Sequence, residues 1–146
     1  MTDPPTTGLR SFERSLPMAL MRAREAVMSQ FRPMLAEHGL TEQQWRVLRA
    51  LTDRPMTVGS VAERTCLLGP SLSRMLASME QRSLIVRTID RADGRRTRIA
   101  IAAAGRDLVT RIAPESERVY RDIEGALGVD ELDELHRLLD RLAAAA

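Results

Sequence analysis

Only one stretch of this 146-residue chain clearly breaks from helical periodicity. It is LIVRTIDRADGRRTRIAI, residues 84–101, where short apolar alternations flank a charged tip. Alternation has the period of a strand, and Gly94 supplies a turn, so the stretch predicts a β-hairpin. Nearly everything else repeats at three or four residues, the spacing that puts apolar side chains on one face of a helix. A lone hairpin needs other elements to pack against. The expected fold class is therefore mainly α with a small β-hairpin.

The helical signals fall in a definite order. From Ser11 to about Glu37, the residues Leu16, Leu20, Ala23, Val27, Phe31 and Leu35 form one stripe expected to be buried. Pro17 fits a first turn, Pro33 should bend or weaken the last one, and Gly39 supplies a left-handed stop. Thr41 and Gln44 have capping-box spacing ahead of a second helix with Trp45, Leu48 and Leu51 inside. DRPM, residues 53–56, reads as a turn. A short helix over about 58–64 follows, capped by Thr57, and CLLG makes a tight connection. Pro70 then opens a fourth helix that buries Leu72, Met75, Leu76 and Met79. Its outer face holds Ser71, Ser73, Arg74 and Ser78. Beyond the hairpin, a long helix runs from about Ala103 toward Ala126 past Pro114. A last helix, from about Asp130, carries Leu132, Leu135, Leu138, Leu139 and Leu142.

Two short helices joined by a tight turn, with a small outer face on the second, describe a helix-turn-helix, and a hairpin directly after it describes a wing. The first helix and the last two carry more apolar surface than one such lobe can cover. Their stripes are expected to bury against a second copy, giving a homodimer. The predicted organisation is a frayed tail over 1–10 and a single domain over 11–146. Within it, 11–38 and 103–146 are dimerisation helices and 40–102 is the winged helix-turn-helix.

Composition narrows the function. A charged fraction of 29% and a hydrophobic fraction of 44% are ordinary for a globular chain, which argues against global disorder. Net charge is only +2, yet arginines clearly outnumber acids between Thr41 and Ile101, which points to a local basic surface. No apolar run is long enough to span a bilayer and no secretory leader opens the chain, so no membrane partner is expected. The single cysteine, Cys66, precludes an internal disulfide and fits a reducing, cytoplasmic compartment. Two histidines, His38 and His136, stand without HExxH, GxSxG, a glycine-rich phosphate loop or paired cysteines. Neither an enzyme, a cofactor nor a metal site is expected.

Double-stranded DNA is the expected partner. Ser71, Ser73 and Ser78 are short donors that allow close approach to phosphates, and Arg74 can reach a guanine edge. Near Pro70 the helix presents free N–H groups. On the wing, Arg95 suits a narrow minor groove, Asp93 is placed to fix a neighbouring guanidinium, and Arg91, Arg96 or Arg98 can neutralise flanking phosphates. Two recognition helices one turn of DNA apart would require an imperfectly palindromic operator. The plain alternatives are a solvated charged turn, or a dimeric interaction protein that does not read DNA. The second leaves the arginine hairpin unexplained.

Asp90, Asp93, Arg95, Ile99, Ile101 and Gly105, in the frame DRADGRRTRIAIAAAG, resemble the wing signature of the MarR family of winged-helix regulators. Ala102 departs from it, since the family commonly has a threonine cap there. Residues 19–51 and 65–76, with their FRP and LTEQQWR segments, look like repressors of homoprotocatechuate (hydroxyphenylacetate) degradation operons. The resemblance implies a dimeric repressor of aromatic-acid catabolism, released from DNA by a small aromatic carboxylate lodged between the dimerisation helices and the DNA-reading lobe. An arginine can hold such a carboxylate bidentately. Arg46, directly after Trp45, is the first choice, followed by Arg49, with Arg22 and Met28 on the first helix as further candidates. Each of these arginines could equally serve a structural ion pair. Cys66 is expected to be a buried, inert thiol lining the pocket; the alternative is a redox-sensing regulator acting through it.

Overall fold

Thr41 starts the helix on which the core is built. Its hydroxyl accepts from the Gln44 backbone N–H at 3.1 Å, and the Gln44 side chain accepts from the Thr41 N–H at 3.0 Å. Two of the donors that a helix start leaves unpaired are thereby satisfied reciprocally. In this computed structural model, which describes residues 8–89, 91, 92, 94 and 97–146, the first helix is α1, Leu16–Glu37, and the capped helix is α2, Glu42–Asp53. The remaining elements are β1 (Met56–Thr57), α3 (Val58–Thr65), α4 (Gly69–Gln81), β2 (Ile85–Ile89), β3 (Thr97–Ile101), α5 (Ala103–Leu127) and α6 (Val129–Ala145). Thr57 caps α3 as predicted, accepting from the Ser60 N–H at 3.2 Å. None of the described helices is long and apolar enough to cross a membrane.

Val47, Leu48 and Leu51 of α2 are wholly buried against Val61 of α3, Leu72, Leu76 and Met79 of α4, and Ile99 of β3. Each such side chain contributes roughly 1.5–3 kcal/mol by leaving water. The helix-turn-helix and the wing thus share one core. The sheet behind them is antiparallel in the order β1-β3-β2, with Met56 opposite Ile99 and Ile85 opposite Ile101. The third strand corrects the sequence reading. DRPM is not only a turn, because buried Met56 needs a partner for its backbone and finds it in β3.

Helix α1 begins at Leu16 and not at Ser11, with turns over residues 12–14. Of its apolar stripe only Phe31 and Leu35 are buried in the protomer. Leu16, Leu20 and Val27 stay exposed because none of the described elements covers the first half of the helix. Helix α6 buries no residue at all. Pro33 and Pro114 sit inside α1 and α5, and both helices continue past them.

The junction of wing and α5 depends on a missing side chain. The Ala102 N–H donates to the Leu84 carbonyl at 2.9 Å, and Ala102 begins α5 with no side-chain cap. This draws the first turn of α5 onto the end of the wing. A Cβ at Gly105 would collide with the Leu84 carbonyl oxygen and lie 2.8 Å from Ile101 Cγ1. Gly105→Ala is therefore expected to cost about 1–3 kcal/mol through overpacking, against a backbone atom that cannot move aside. Gly125→Ala, where nothing lies within 4 Å, should stabilise by up to about 1 kcal/mol. Thermal melts of the two variants should shift in opposite directions.

Candidate nucleic-acid interface and aromatic cleft

The sequence places apolar residues on one side of α4 only, so its other side is left to solvent. Pro70, Ser71, Ser73, Arg74 and Ser78 are all exposed there. Leu68, the N-cap, offers no side-chain hydrogen bond, so the first-turn N–H groups face outward without a side-chain acceptor. Arg91 is exposed on the wing, while Asp90, Asp93, Arg95 and Arg96 lie outside the described residues. The wing is fixed to α4 by an ion pair between Arg87 Nε and Glu80 Oε2 at 2.5 Å. At the same end of α4, the C-cap Arg82 donates from Nη1 to the Gly39 carbonyl at 2.8 Å.

Cys66 is exposed rather than buried. It ends α3 in the left-handed conformation, with φ 56°, and the chain turns outward there toward α4.

A second site lies where α1, α2 and α5 meet. A cleft of about 230 Å³ is bounded by Met28 and Phe31 of α1, by Glu42, Trp45, Arg46 and Arg49 of α2, and by Tyr120 of α5. Phe31 and Tyr120 meet edge to face, 5.0 Å between ring centroids. The Arg49 guanidinium stands 6.0 Å from the Trp45 ring centroid, at the limit of a cation–π contact. Arg46 is partly committed, donating from Nη1 to the Thr65 carbonyl at 2.8 Å. Four of the predicted effector residues are thus brought together: Met28, Trp45, Arg46 and Arg49. Arg22 is not, since it donates to the Glu13 carbonyl, and Cys66 is not among the lining residues.

Phe31, Glu42 and Tyr120 are the lining residues that the sequence reading did not single out. Glu42 is the least expected, a carboxylate with only 10% of its side chain exposed. Arg24 at 3.0 Å and Arg32 at 3.5 Å compensate its charge. Arg32 also pairs with Glu25 at 2.5 Å, a hydrogen bond that lowers the Glu25 carboxyl pKa and raises that of the guanidinium. At the far end of α2, Arg64 hydrogen-bonds Asp53 at 2.5 Å and lowers its pKa. A lowered carboxyl pKa contributes stability above the usual carboxylate range, and that contribution is lost as pH falls through the lowered value.

An exposed serine- and arginine-bearing helix, preceded by a tight turn and followed by an arginine wing, defines a winged-helix transcriptional regulator. The family model described as MarR family matches residues 38–96. The chain is 40% identical over 131 residues to the homoprotocatechuate degradative operon repressor of Escherichia coli, covering 89% of this chain and 88% of that protein. It is 36% identical to the HTH-type transcriptional regulator FarR of Neisseria gonorrhoeae, with 92% of each chain covered. Among solved structures, NadR in complex with 4-hydroxyphenylacetate superposes with a TM-score of 0.81 at 36% identity, over 92% of this chain and 96% of that one. The chain belongs to the MarR family.

The two cleft arginines should separate by stability. Arg46→Ala removes a charged donor from the carbonyl that ends α3 and is expected to cost about 1–2 kcal/mol. Arg49→Ala, at an exposed position, should leave the denaturation midpoint within about 0.5 kcal/mol of wild type. Urea titration checks both.

Proposed function

We propose that this protein is a dimeric repressor of an aromatic-acid catabolic operon, released from a palindromic operator by a small aromatic carboxylate. The observation that carries this reading is the cleft, where three aromatic rings and two arginines meet beside the DNA-reading lobe. The likeness to the E. coli repressor and to NadR bound to 4-hydroxyphenylacetate supports the ligand class.

In this reading residues 11–38 and 103–146 form the dimer and 40–102 read DNA. The exposed leucines of α1 and the wholly unburied α6 support a second copy as their cover. Ser71, Ser73, Arg74 and Ser78 enter the major groove from α4, with Pro70 and the free N–H groups against a phosphate. Arg95, oriented by Asp93, enters the minor groove, and Arg91 and Arg96 hold its flanking phosphates.

In the cleft, Trp45, Phe31 and Tyr120 sandwich the ring of the acid. Arg49, free of other hydrogen bonds among the described residues, takes the carboxylate, assisted by the remaining donors of Arg46. Glu42, which in its ionised form can only accept, suits a hydroxyl on the ring, so a hydroxylated aryl acid fits better than an unsubstituted one. Filling the cleft wedges α2 against α1 and α5 and favours a half-site spacing unsuited to DNA. Such coupling is typically about 1–3 kcal/mol.

A second reading draws on the exposure of Cys66 beside α4, where oxidation would alter the turn leading into the recognition helix. Cys66→Ser should then abolish any oxidant response and leave the acid response intact.

The test is fluorescence anisotropy with DNA from upstream of the protein's own gene and, if that is silent, with sites recovered from genomic DNA. Salt-steep binding, weakened roughly 5- to 150-fold by 4-hydroxyphenylacetate or 3,4-dihydroxyphenylacetate, is the expected result. Arg95→Glu should abolish binding. Failure of wild-type protein on all DNA would return the molecule to a dimeric interaction protein. DNA binding indifferent to every aryl acid would remove the effector alone.

A further inference from the structure

A second cleft, larger than the aromatic one at about 500 Å³, opens at the root of the wing. Its chemistry is the opposite of the first. Arg54 and Arg98 line it together with Thr57, Ser60 and Thr97, the Thr57 hydroxyl donating to Ser60 Oγ at 3.0 Å. Pro55 and Met56 complete the lining, so among the described residues it holds neither an aromatic ring nor a carboxylate. Arg54 is exposed, and its guanidinium makes no hydrogen bond among the described residues. The adjacent acid, Asp53, hydrogen-bonds Arg64 at 2.5 Å and feels the Arg54 charge without a hydrogen bond to it.

The surroundings argue for a particular anion. Three separate segments build the cleft: the end of α2, the first turn of α3 and the return strand of the wing. Backbone pairing of Thr57 with Arg98 fixes the last two against each other. Helix α3 is the first helix of the helix-turn-helix, the one that crosses the phosphate backbone when its partner enters the major groove. Thr97 and Arg98 directly follow the tip of the wing. With two arginines and three hydroxyl residues in its lining and no aromatic ring to stack an organic one, the cleft suits a compact, multiply hydrogen-bonded oxyanion.

We propose that this cleft seats a phosphodiester of the bound duplex, one per half-site, with Arg54 as its principal cation. It is a backbone contact additional to those of α4 and the wing tip, and it sets affinity and register without reading sequence. The proposal rests on the DNA-binding reading above.

The experiment uses a duplex carrying the site that wild-type protein protects in genomic DNA, with single phosphates replaced in turn by neutral methylphosphonates. Wild-type protein, Arg54→Gln and, as an equal charge change on α5, Arg118→Gln are compared at several salt concentrations. At one backbone position per half-site, neutralisation should weaken wild type and Arg118→Gln about tenfold and leave Arg54→Gln unaffected. The slope of log affinity against log salt should be shallower by about 2 per dimer for Arg54→Gln only, one released counterion per contact. If Arg54→Gln keeps every methylphosphonate sensitivity of wild type, or if Arg118→Gln changes the slope as much, the proposal is wrong while DNA binding stands. If wild type binds no DNA, both readings fall together.

Discussion

Helix α2 belongs to two environments at once, and the rest of the structure is arranged around that constraint. One face, Val47, Leu48 and Leu51, is wholly buried in the core shared with α3, α4 and the sheet. The next face, Trp45, Arg46 and Arg49, lines the aromatic cleft against α1 and α5. A close-packed helix cannot tilt on one side and stay still on the other. Whatever moves α2 relative to α1 and α5 therefore moves the DNA-reading lobe with it.

Three contacts make that connection mechanical. Arg46 spans from the cleft to the Thr65 carbonyl, at the end of α3 and just before the turn into α4. His38, at the end of α1, meets Glu115 of α5 at 2.8 Å, and the neighbouring Gly39 carbonyl accepts from Arg82 beyond the end of α4. The α1–α2 corner is thus tied both to the long helix α5 and to the helix with the DNA-facing surface. Two residues beyond Arg82, the Leu84–Ala102 hydrogen bond and the bare backbone of Gly105 join the wing to α5. The lobe is thus tied to both α1 and α5, and α1 leaves Leu16, Leu20 and Val27 uncovered.

What the sequence discloses follows the range of the interactions involved. Helices α2, α3 and α4, the caps of α2 and α3, and the hairpin are local, and three- or four-residue spacing states the helices directly as alternation states the hairpin. Gly105 is legible as a motif residue, but its reason, the Leu84 carbonyl, lies 21 positions away. Strand β1 is two residues long and exists only because Met56 pairs with Ile99, so no local pattern announces it. The cleft shows the same limit. Trp45, Arg46 and Arg49 share one helix and are found together, whereas Tyr120 arrives from a helix more than 70 positions further on. Its one signal is an aromatic ring on α5 set beside, not within, the run Leu108, Ile112 and Val119. The burial of Glu42 and the exposure of Cys66 depend on neighbouring elements, which periodicity does not report.

The central claim is that the aromatic cleft and the DNA-reading face are coupled through α2, and coupling between two sites is reciprocal. Trp45 is the sole tryptophan and lines the cleft, so its fluorescence reports occupancy directly. The decisive measurement is the Kd of 4-hydroxyphenylacetate, read from Trp45, in the absence of DNA and with the protein saturated by its operator. Operator should raise that Kd by the same factor, roughly 5- to 150-fold, by which the acid weakens DNA binding. An acid that binds with the same Kd whether or not DNA is present would contradict the account.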